Sequence, residues 1–272
     1  KFSDEICTDG DCMRLSASNS IEIYDPQTGT FTSDAGFSLS MPRGMHSASL
    51  LPDGKILVAG GCEEAIWYKT FNNGPRPLIE VAQQGWGTAG STGEIIDPSN
   101  KTSTPIEGAM QTSRALHADL VLDSGDVLLL GGMGIGNQSQ QSATSYLAAS
   151  SSFEEHPAAL LTPRQAMVAI ELPGDDTQRA MIWGGNTPVS PGAGVFAEIL
   201  SVDQNGTISS TEPAFSAAKG LNLFYSAGTL LESEQILVAG GMLTDTSIYD
   251  DLLGPAVERR YRILDMTPGS ES

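Results

Sequence analysis

Lys55-Ile56-Leu57-Val58-Ala59-Gly60-Gly61 joins a run of four apolar residues to a pair of glycines. The apolar run predicts a short β-strand that is buried on both faces. The glycines end this strand, because glycine adopts backbone angles that other residues avoid and lets a second backbone approach closely. The same pattern recurs at 126–132, 179–185 and 235–241. Four copies of a buried strand ending in Gly-Gly indicate a repeated architecture.

Each copy belongs to a unit of four predicted strands, and the units repeat at intervals of about 50 to 70 residues. A first strand and a tight turn, such as Pro52-Asp53-Gly54, precede the strand that ends in the glycine doublet. After a connection of variable length come a third strand and a weaker fourth strand, separated by turn residues. The predicted third strands are 21–26, 94–98, 145–149, 197–202 and 259–265, and the predicted fourth strands are 30–32, 101–104, 152–153 and 207–209.

A second shared motif is the linker that leads into each unit. It is Met41-Pro42-Arg43-Gly44-Met45-His46 in the first unit, and it recurs as Arg114-Ala115-Leu116-His117 and more loosely at Pro163-Arg164 and Lys219. Together with the glycine doublets and Tyr24-Asp25-Pro26, this linker resembles the kelch repeat family. Over 20–265 the resemblance implies an all-β fold, a kelch-like β-propeller whose four-stranded antiparallel blades surround a central channel.

The repeat pattern amounts to about five blades, with four inner hairpins, five third strands and four fourth strands. A ring of blades must close to protect its strand edges, and two ways of closing it are open. In one, residues 1–19 form a degenerate inner hairpin around Asp9-Gly10-Asp11, ahead of a propeller domain at 20–272. In the other, the chain is part of a larger or incomplete ring that begins upstream.

The composition argues against two classes of binding partner, nucleic acids and membranes. The formal net charge of −19 argues against binding nucleic acid, whose phosphates require Lys and Arg, and no apolar run predicts insertion into a membrane. Cys7 and Cys12 flank a turn that a small disulfide could close, which leaves Cys62 over. Three cysteines do not decide the redox compartment. The acidic charge and the Ser/Thr-rich loops favour an extracellular, cell-surface or periplasmic location.

The longest connections between predicted strands all belong to one class. The segments between second and third strands, 62–93, 133–144, 186–196 and 242–258, are long, whereas the turns between first and second strands are short. In an antiparallel blade all the long connections would lie on one face, where we expect function. The 62–93 insertion carries aromatic and charged residues typical of recognition surfaces. The predicted partner-binding residues are Trp67, Tyr68, Phe71, Trp86, Glu63 and Arg76; the alternative is that these aromatics pack the insertion onto the propeller.

The linker residues have two possible roles. In kelch-like blades such residues hold blades together through hydrogen bonds to backbone carbonyls; the alternative is a position at the channel mouth, facing a ligand. The residues concerned are Arg43, His46, Arg114, His117 and Arg164.

Residues that would carry chemistry are few. No catalytic motif or cofactor site is predicted from the sequence. No metal site is predicted either, because the three histidines would all have to converge on one metal, and the acidic turns at 9–11 and 174–176 lack the ligands of a calcium loop. We therefore expect a non-catalytic binding or scaffold module that recognises a protein or a surface glycan. The alternative is a carbohydrate-active kelch-type enzyme, similar to sugar-acid epimerases or oxidases, with an arginine-lined channel mouth.

Overall fold

The computed structural model describes residues 12–32, 36–68, 79–80, 89–173, 177–186, 196–213, 223–243 and 261–264. In these ranges the regular structure consists of strands and one short 3-10 helix at Ala89–Ser91. None of the residues in these ranges belongs to a helix that could cross a membrane. The strands, in chain order, are β1 (Cys12–Ser16), β2 (Ile23–Asp25), β3 (Thr30–Thr32), β4 (Ser47–Leu50), β5 (Ile56–Ala59), β6 (Glu64–Tyr68), β7 (Ile79–Glu80), β8 (Gly93–Asp97), β9 (Thr102–Pro105), β10 (Ala118–Val121), β11 (Val127–Leu130), β12 (Ala143–Leu147), β13 (Ser152–His156), β14 (Val168–Leu172), β15 (Gln178–Trp183), β16 (Ala197–Val202), β17 (Ile208–Thr211), β18 (Leu223–Phe224), β19 (Ala227–Leu230), β20 (Ile236–Ala239), β21 (Met242–Leu243) and β22 (Tyr261–Leu264).

Among the described strands, three sheets contain four antiparallel strands each. They are blade A (β4-β5-β8-β9), blade B (β10-β11-β12-β13) and blade C (β14-β15-β16-β17). A fourth sheet, blade D, contains β19-β20-β22, and β2 pairs with β3 in a hairpin ahead of blade A. The inner strands of successive blades lie beside one another, β4 with β10, β10 with β14 and β14 with β19. Sheets joined through their inner strands in this order surround a common axis, as in a β-propeller.

The core lies between the blades and explains the unbroken apolar runs of the second strands. On β11, Val127 and Leu129 pack toward blade A, while Leu128 and Leu130 pack toward blade C. On β15, Met181 and Trp183 likewise pack toward blade D. A strand with a blade on each side buries both of its faces, which is why the buried residues of these strands are apolar. In β15 the polar Gln178 and Arg179 lie at the half-buried and exposed start of the strand.

The glycine doublets lie where neighbouring blades come closest. Gly60 and Gly61 have φ values of 68° and 97°, in the region that favours glycine. A Cβ on Gly60 would lie 2.5 Å from the carbonyl oxygen of Arg114 in the next linker, and one on Gly61 would lie 2.6 Å from that of Gly44 in its own linker. The doublet therefore joins its own blade to the one that follows.

The 62–93 insertion contains regular structure that the sequence pattern did not predict. Its strand β6 pairs with β1 on one side and with β7 on the other, forming a three-stranded sheet. The pairing joins segments more than 45 residues apart, for example Leu15 with Ala65, and local periodicity contains no information about such contacts. The proposed hairpin around 9–11 lies outside the described residues.

Candidate functional site

The linkers, the glycine doublets and the segments after them meet on one face of the blades, which we call the linker face. Isolated bridges pair Gly44 with Cys62, Ala115 with Met133 and Gln165 with Asn186, so each post-doublet segment runs beside the linker of its own blade. A further bridge pairs Gln140 with Arg164 of the next blade. All of the long connections that the structure describes at their start thus leave from the same face.

A chain of backbone hydrogen bonds connects the four linkers around the axis. The amide of Leu116 donates to the carbonyl of Met45, that of Ala166 to Leu116 and that of Tyr225 to Ala166, over 2.8–2.9 Å. All four residues have φ between 52° and 58°, which is unusual for residues with a Cβ. The repeated strain indicates that the linker conformation is maintained by its neighbours in the ring.

Each linker arginine is buried inside its own blade. Arg43, Arg114 and Arg164 are 3%, 0% and 2% exposed. Their Nη1 atoms donate to the carbonyls of Gly60, Gly131 and Gly184, the first glycines of the doublets, over 2.8, 2.7 and 2.6 Å. The same atoms also donate to the carbonyl just before the third strand, at Thr92, Ser142 and Phe196. The arginine therefore bridges the second and third strands where their own ladder ends.

A carboxylate completes this arrangement, which we call the arginine clamp. Glu94 on β8 pairs with Arg43 over 3.0 Å, and Glu198 on β16 pairs with Arg164 over 2.8 Å, both glutamates being fully buried. Each glutamate also accepts the backbone amide of the residue three positions before its arginine, Ser40 or Leu161. Hydrogen bonds on both sides of the pair satisfy charges that burial would otherwise make costly.

Blade B builds the same clamp with a different residue. Thr144 occupies the third-strand position of Glu94 and Glu198, and the carboxylate comes from Glu155, the cross-strand partner of Thr144 on β13. Glu155 pairs with Arg114 over 3.2 Å and accepts the Thr144 hydroxyl over 2.6 Å. Burial lowers the pKa of Arg114 to about 10, with Glu155 opposing the shift, so the guanidinium is still charged at neutral pH.

The two linker histidines differ in environment. His46 is exposed. His117 lies between blades A and B, where its Nε2 is 2.9 Å from the hydroxyl of Ser47 and its Nδ1 is buried without a partner. Burial, together with the positive charges of Arg114 and His46, lowers the pKa of His117 to about 3. His117 is therefore a neutral packing residue at physiological pH.

Half of the predicted partner-binding residues lie in described segments. Glu63 is half-buried and directly precedes β6, and Trp67 and Tyr68 lie in that strand, whose Trp67 pairs in register with Met13 and Ile79. Phe71, Arg76 and Trp86 lie outside the described residues. At the linker face, Ile135 is a 53% exposed apolar residue at the tip of the 134–138 turn, and Tyr225 is 38% exposed.

Two clefts lie toward the opposite face, at the short turns between the blades. A cleft of about 610 Å³ between blades B and C includes Asp126 and Asp203, and one of about 570 Å³ includes Glu171 and Thr229. The carboxylates of Asp126 and Asp203 already accept backbone amides, from Ala148 and from Thr207 and Asn205. Those bonds lower the pKa of Asp203, which is typical of a turn-capping aspartate.

Metal ligands and thiols are the remaining groups that could carry chemistry. Within the described ranges, no three His, Cys, Asp or Glu side chains are arranged to hold a metal ion. Cys62 is a buried free thiol whose pKa burial raises to about 11. Cys7 lies outside the described residues, so its proposed disulfide with Cys12 stays a prediction.

Sequence reasoning identified the arginines but not their carboxylate partners. Glu94 and Glu198 both stand one residue after the start of a third strand, and that repetition was a usable signal. Glu155 carried no such signal, because its role depends on the register between β12 and β13.

Comparison with known proteins agrees with the architecture. The fold is similar to that of the solved structure of YjhT, a kelch-type β-propeller, with a TM-score of 0.58 and 10% sequence identity over 94% of this chain and 79% of the YjhT chain. No family model and no curated protein matches the chain. The predicted all-β propeller with four-stranded antiparallel blades is confirmed, and at this identity the similarity concerns the fold alone.

Proposed function

We propose that the chain is a non-catalytic binding module that recognises a protein or a surface glycan through its linker face. The observation that carries the proposal is the shared origin of the post-doublet segments, which run beside the linkers and include an added sheet, β1-β6-β7. A rigid ring that presents its longest connections from one side is typical of recognition scaffolds. The exposed Ile135 belongs to the same face.

The state of the arginines supports binding over catalysis. An enzyme with an arginine-lined channel mouth would need guanidinium groups available to an anionic substrate. In this structure the guanidinium groups donate instead to backbone carbonyls and pair with buried carboxylates, as seen for Arg43, Arg114 and Arg164. Carbohydrate chemistry at this face would have to rely on other residues, such as Glu63.

Site-specific photo-crosslinking tests the proposal, because a photoreactive side chain reacts with whichever molecule lies against it. A photoreactive phenylalanine analogue is placed at Ile135 on the linker face and, as a matched control, at Phe31, which is 67% exposed and next to a short turn on the other face. We expect adducts with surface proteins or glycoconjugates at position 135 and not at position 31. Adducts confined to position 31 would refute the proposal.

Substitutions in the added sheet then separate the two functions. Trp67→Ala is expected to weaken binding of the captured partner about tenfold or more, as loss of an interface aromatic does, while Glu63→Gln, which keeps every aromatic side chain in place, is expected to weaken it less. Turnover of a sugar acid that Glu63→Gln abolishes, with binding retained, would instead establish an enzyme.

A further inference from the structure

Three sulfur-containing side chains lie in one cluster at the junction between blades A and B. Cys62 follows the glycine doublet of blade A, Met45 lies in the linker of the same blade, and Met133 follows the doublet of blade B. The Sγ of Cys62 is 4.0 Å from the Sδ of Met45. Cys62 and Met133, which are 2% and 1% exposed, belong to the same buried cluster, and Met45 packs against it. The junction therefore contains a thiol and two thioethers.

Backbone pairing holds these residues in position. A β-bridge joins Gly44, the neighbour of Met45, to Cys62, and another joins Met133 to the linker of its own blade. The amide of Leu116 in that second linker donates to the carbonyl of Met45 over 2.9 Å. The three sulfur side chains thus extend from backbone that is fixed by hydrogen bonds within and between the blades, as a preorganised site requires.

The next junction of the ring shows that the repeat does not itself require sulfur at these positions. Between blades B and C, Leu116 stands where Met45 does, Met133 where Cys62 does, and Asn186 where Met133 does. These three positions carry one sulfur atom among them, compared with three at the first junction. The combination of a thiol and two thioethers is therefore specific to the junction of blades A and B.

The spacing of the sulfur atoms fits a single soft metal ion. With each sulfur about 2.3 Å from the ion, the 4.0 Å between Cys62 and Met45 corresponds to an angle at the ion of about 120°, as in a trigonal site. Thiolate and thioether sulfur select Cu(I), whereas Mg²⁺ and Ca²⁺ prefer oxygen. Met133 can provide the third ligand, because its three rotatable bonds let the thioether adjust. The carboxylate of Glu63 acts electrostatically on Cys62, and negative charge there favours a cation.

We propose that Cys62, Met45 and Met133 bind one soft monovalent metal ion of the Cu(I) class. Cys62 coordinates as the thiolate and releases its proton to solvent, and the oxidation state of the metal does not change. The ion enters from the linker face, where Met45 is half-buried. Once bound, it connects the linker of blade A to the post-doublet segment of blade B. The site does not depend on the partner proposed above.

Anaerobic titration with Cu(I), in competition with a colorimetric chelator of known affinity, tests the proposal. The whole chain carries Cys7→Ser and Cys12→Ser, so that Cys62 is its single thiol. We expect one Cu(I) per chain. Met45→Leu nearly conserves volume and should weaken binding at least about tenfold, since even groups that only orient a metal ligand contribute that much. Met110→Leu, in a different buried cluster, should leave the affinity unchanged.

A second measurement separates metal binding from effects on folding. Cu(I) should raise the thermal unfolding midpoint of the Cys7→Ser/Cys12→Ser chain, because the ion binds the folded state, and Cys62→Ala in the same background should remove both this shift and the binding. Two results would overturn the proposal. One is Cu(I) binding that is no tighter with Cys62 than with Cys62→Ala. The other is equal Cu(I) affinity in the parent, Met45→Leu and Met133→Leu, which would show that the thiol acts without the thioethers.

Discussion

At the scale of single residues, the arginine clamps combine a fixed cation with a carboxylate that can come from either of two strands. Blades A and C place the glutamate on the third strand, and blade B places it on the fourth strand opposite Thr144. Both solutions bring the carboxylate to the same guanidinium. The arginine, which also holds the end of the glycine-doublet strand, is the component that blades A, B and C share, whereas the linker of blade D has Leu223 at this position.

This alternative predicts unequal effects of the same substitution in two blades. Glu94→Thr removes the buried carboxylate that pairs with Arg43, and the cross-strand residue, Pro105, cannot replace it. The substitution should therefore cost about 3–5 kcal/mol of unfolding free energy. In blade C, Glu212 follows Thr211, the partner of Ile199. Continuing this register by one residue brings the exposed Glu212 opposite position 198, as Glu155 is opposite Thr144 in blade B. Glu198→Thr should therefore cost at least about 1 kcal/mol less, as measured by urea denaturation.

The control for this comparison is Glu198→Thr combined with Glu212→Gln. It should lose as much stability as Glu94→Thr, whereas Glu212→Gln alone should be nearly neutral. Equal losses in Glu94→Thr and Glu198→Thr would show that the fourth strand cannot supply the carboxylate in blade C.

His117 predicts a pH dependence of stability. Its pKa is lowered to about 3 in the folded chain from an ordinary value of 6.5, so between these values the unfolded chain binds a proton that the folded chain does not. Stability is therefore lost as the pH falls below about 6.5, with a contribution from this group approaching 1.4 kcal/mol per pH unit. His117→Met, which copies Met167 at the same linker position of blade C, should flatten urea-denaturation midpoints between pH 7 and about pH 5. Identical pH profiles for the two proteins would contradict the prediction.

At the scale of elements, each glycine doublet serves as the joint between a strand, its own linker and the next linker. The amides of Gly61 and Gly132 donate to the carbonyls of Arg114 and Arg164, both over 2.8 Å. Because Arg114 in turn donates from its side chain to the carbonyl of Gly131 in the doublet of its own blade, the linker connects the doublet of the preceding blade to that of its own blade.

Two alanine substitutions in blade A separate backbone strain from close contact. Gly61 and Gly54 both have positive φ, 97° and 81°, but nothing lies within 4 Å of a Cβ on Gly54, whereas one on Gly61 would be 2.6 Å from the carbonyl oxygen of Gly44. Gly54→Ala should cost about 1–2 kcal/mol from strain alone, and Gly61→Ala about 3–5 kcal/mol, because overpacking adds to the strain. Equal losses in chemical denaturation would mean that the linker can move away from the doublet.

Some of these elements could be predicted from the sequence alone, and others could not. The doublet strands, their hairpins and the linker arginines were predictable because each depends on local pattern: an apolar run, a turn, a repeated motif. The β1-β6-β7 sheet and the Thr144–Glu155 exchange were not, since both depend on pairing between strands whose register no local pattern specifies. The left-handed conformation of Met45 and Leu116 was also unpredictable from the sequence, because neither residue type favours it and the ring of linkers stabilises it.

At the scale of the whole molecule, stability depends on how many neighbours each blade has. Blades B and C lie between two others, and the second strands of both are buried along most of their length. The chain resembles a repeat array in this respect, since each blade is stabilised by contacts with those on either side of it. Blade D has blade C on one side, and part of its second strand is exposed on the other.

The chain offers a matched test of this dependence, because β5 and β20 have the same sequence, Ile-Leu-Val-Ala. Sequence-dependent exchange chemistry is therefore nearly equal, and any difference in amide exchange reports packing. In β5, Leu57 and Ala59 are fully buried, while in β20 the corresponding Leu237 is half-buried and Ala239 is exposed. We expect exchange in 236–239 to be about tenfold or more faster than in 56–59, measured by hydrogen exchange on the whole chain. Equal rates would show that blade D is covered as completely as blade A, and that ring position does not control local stability.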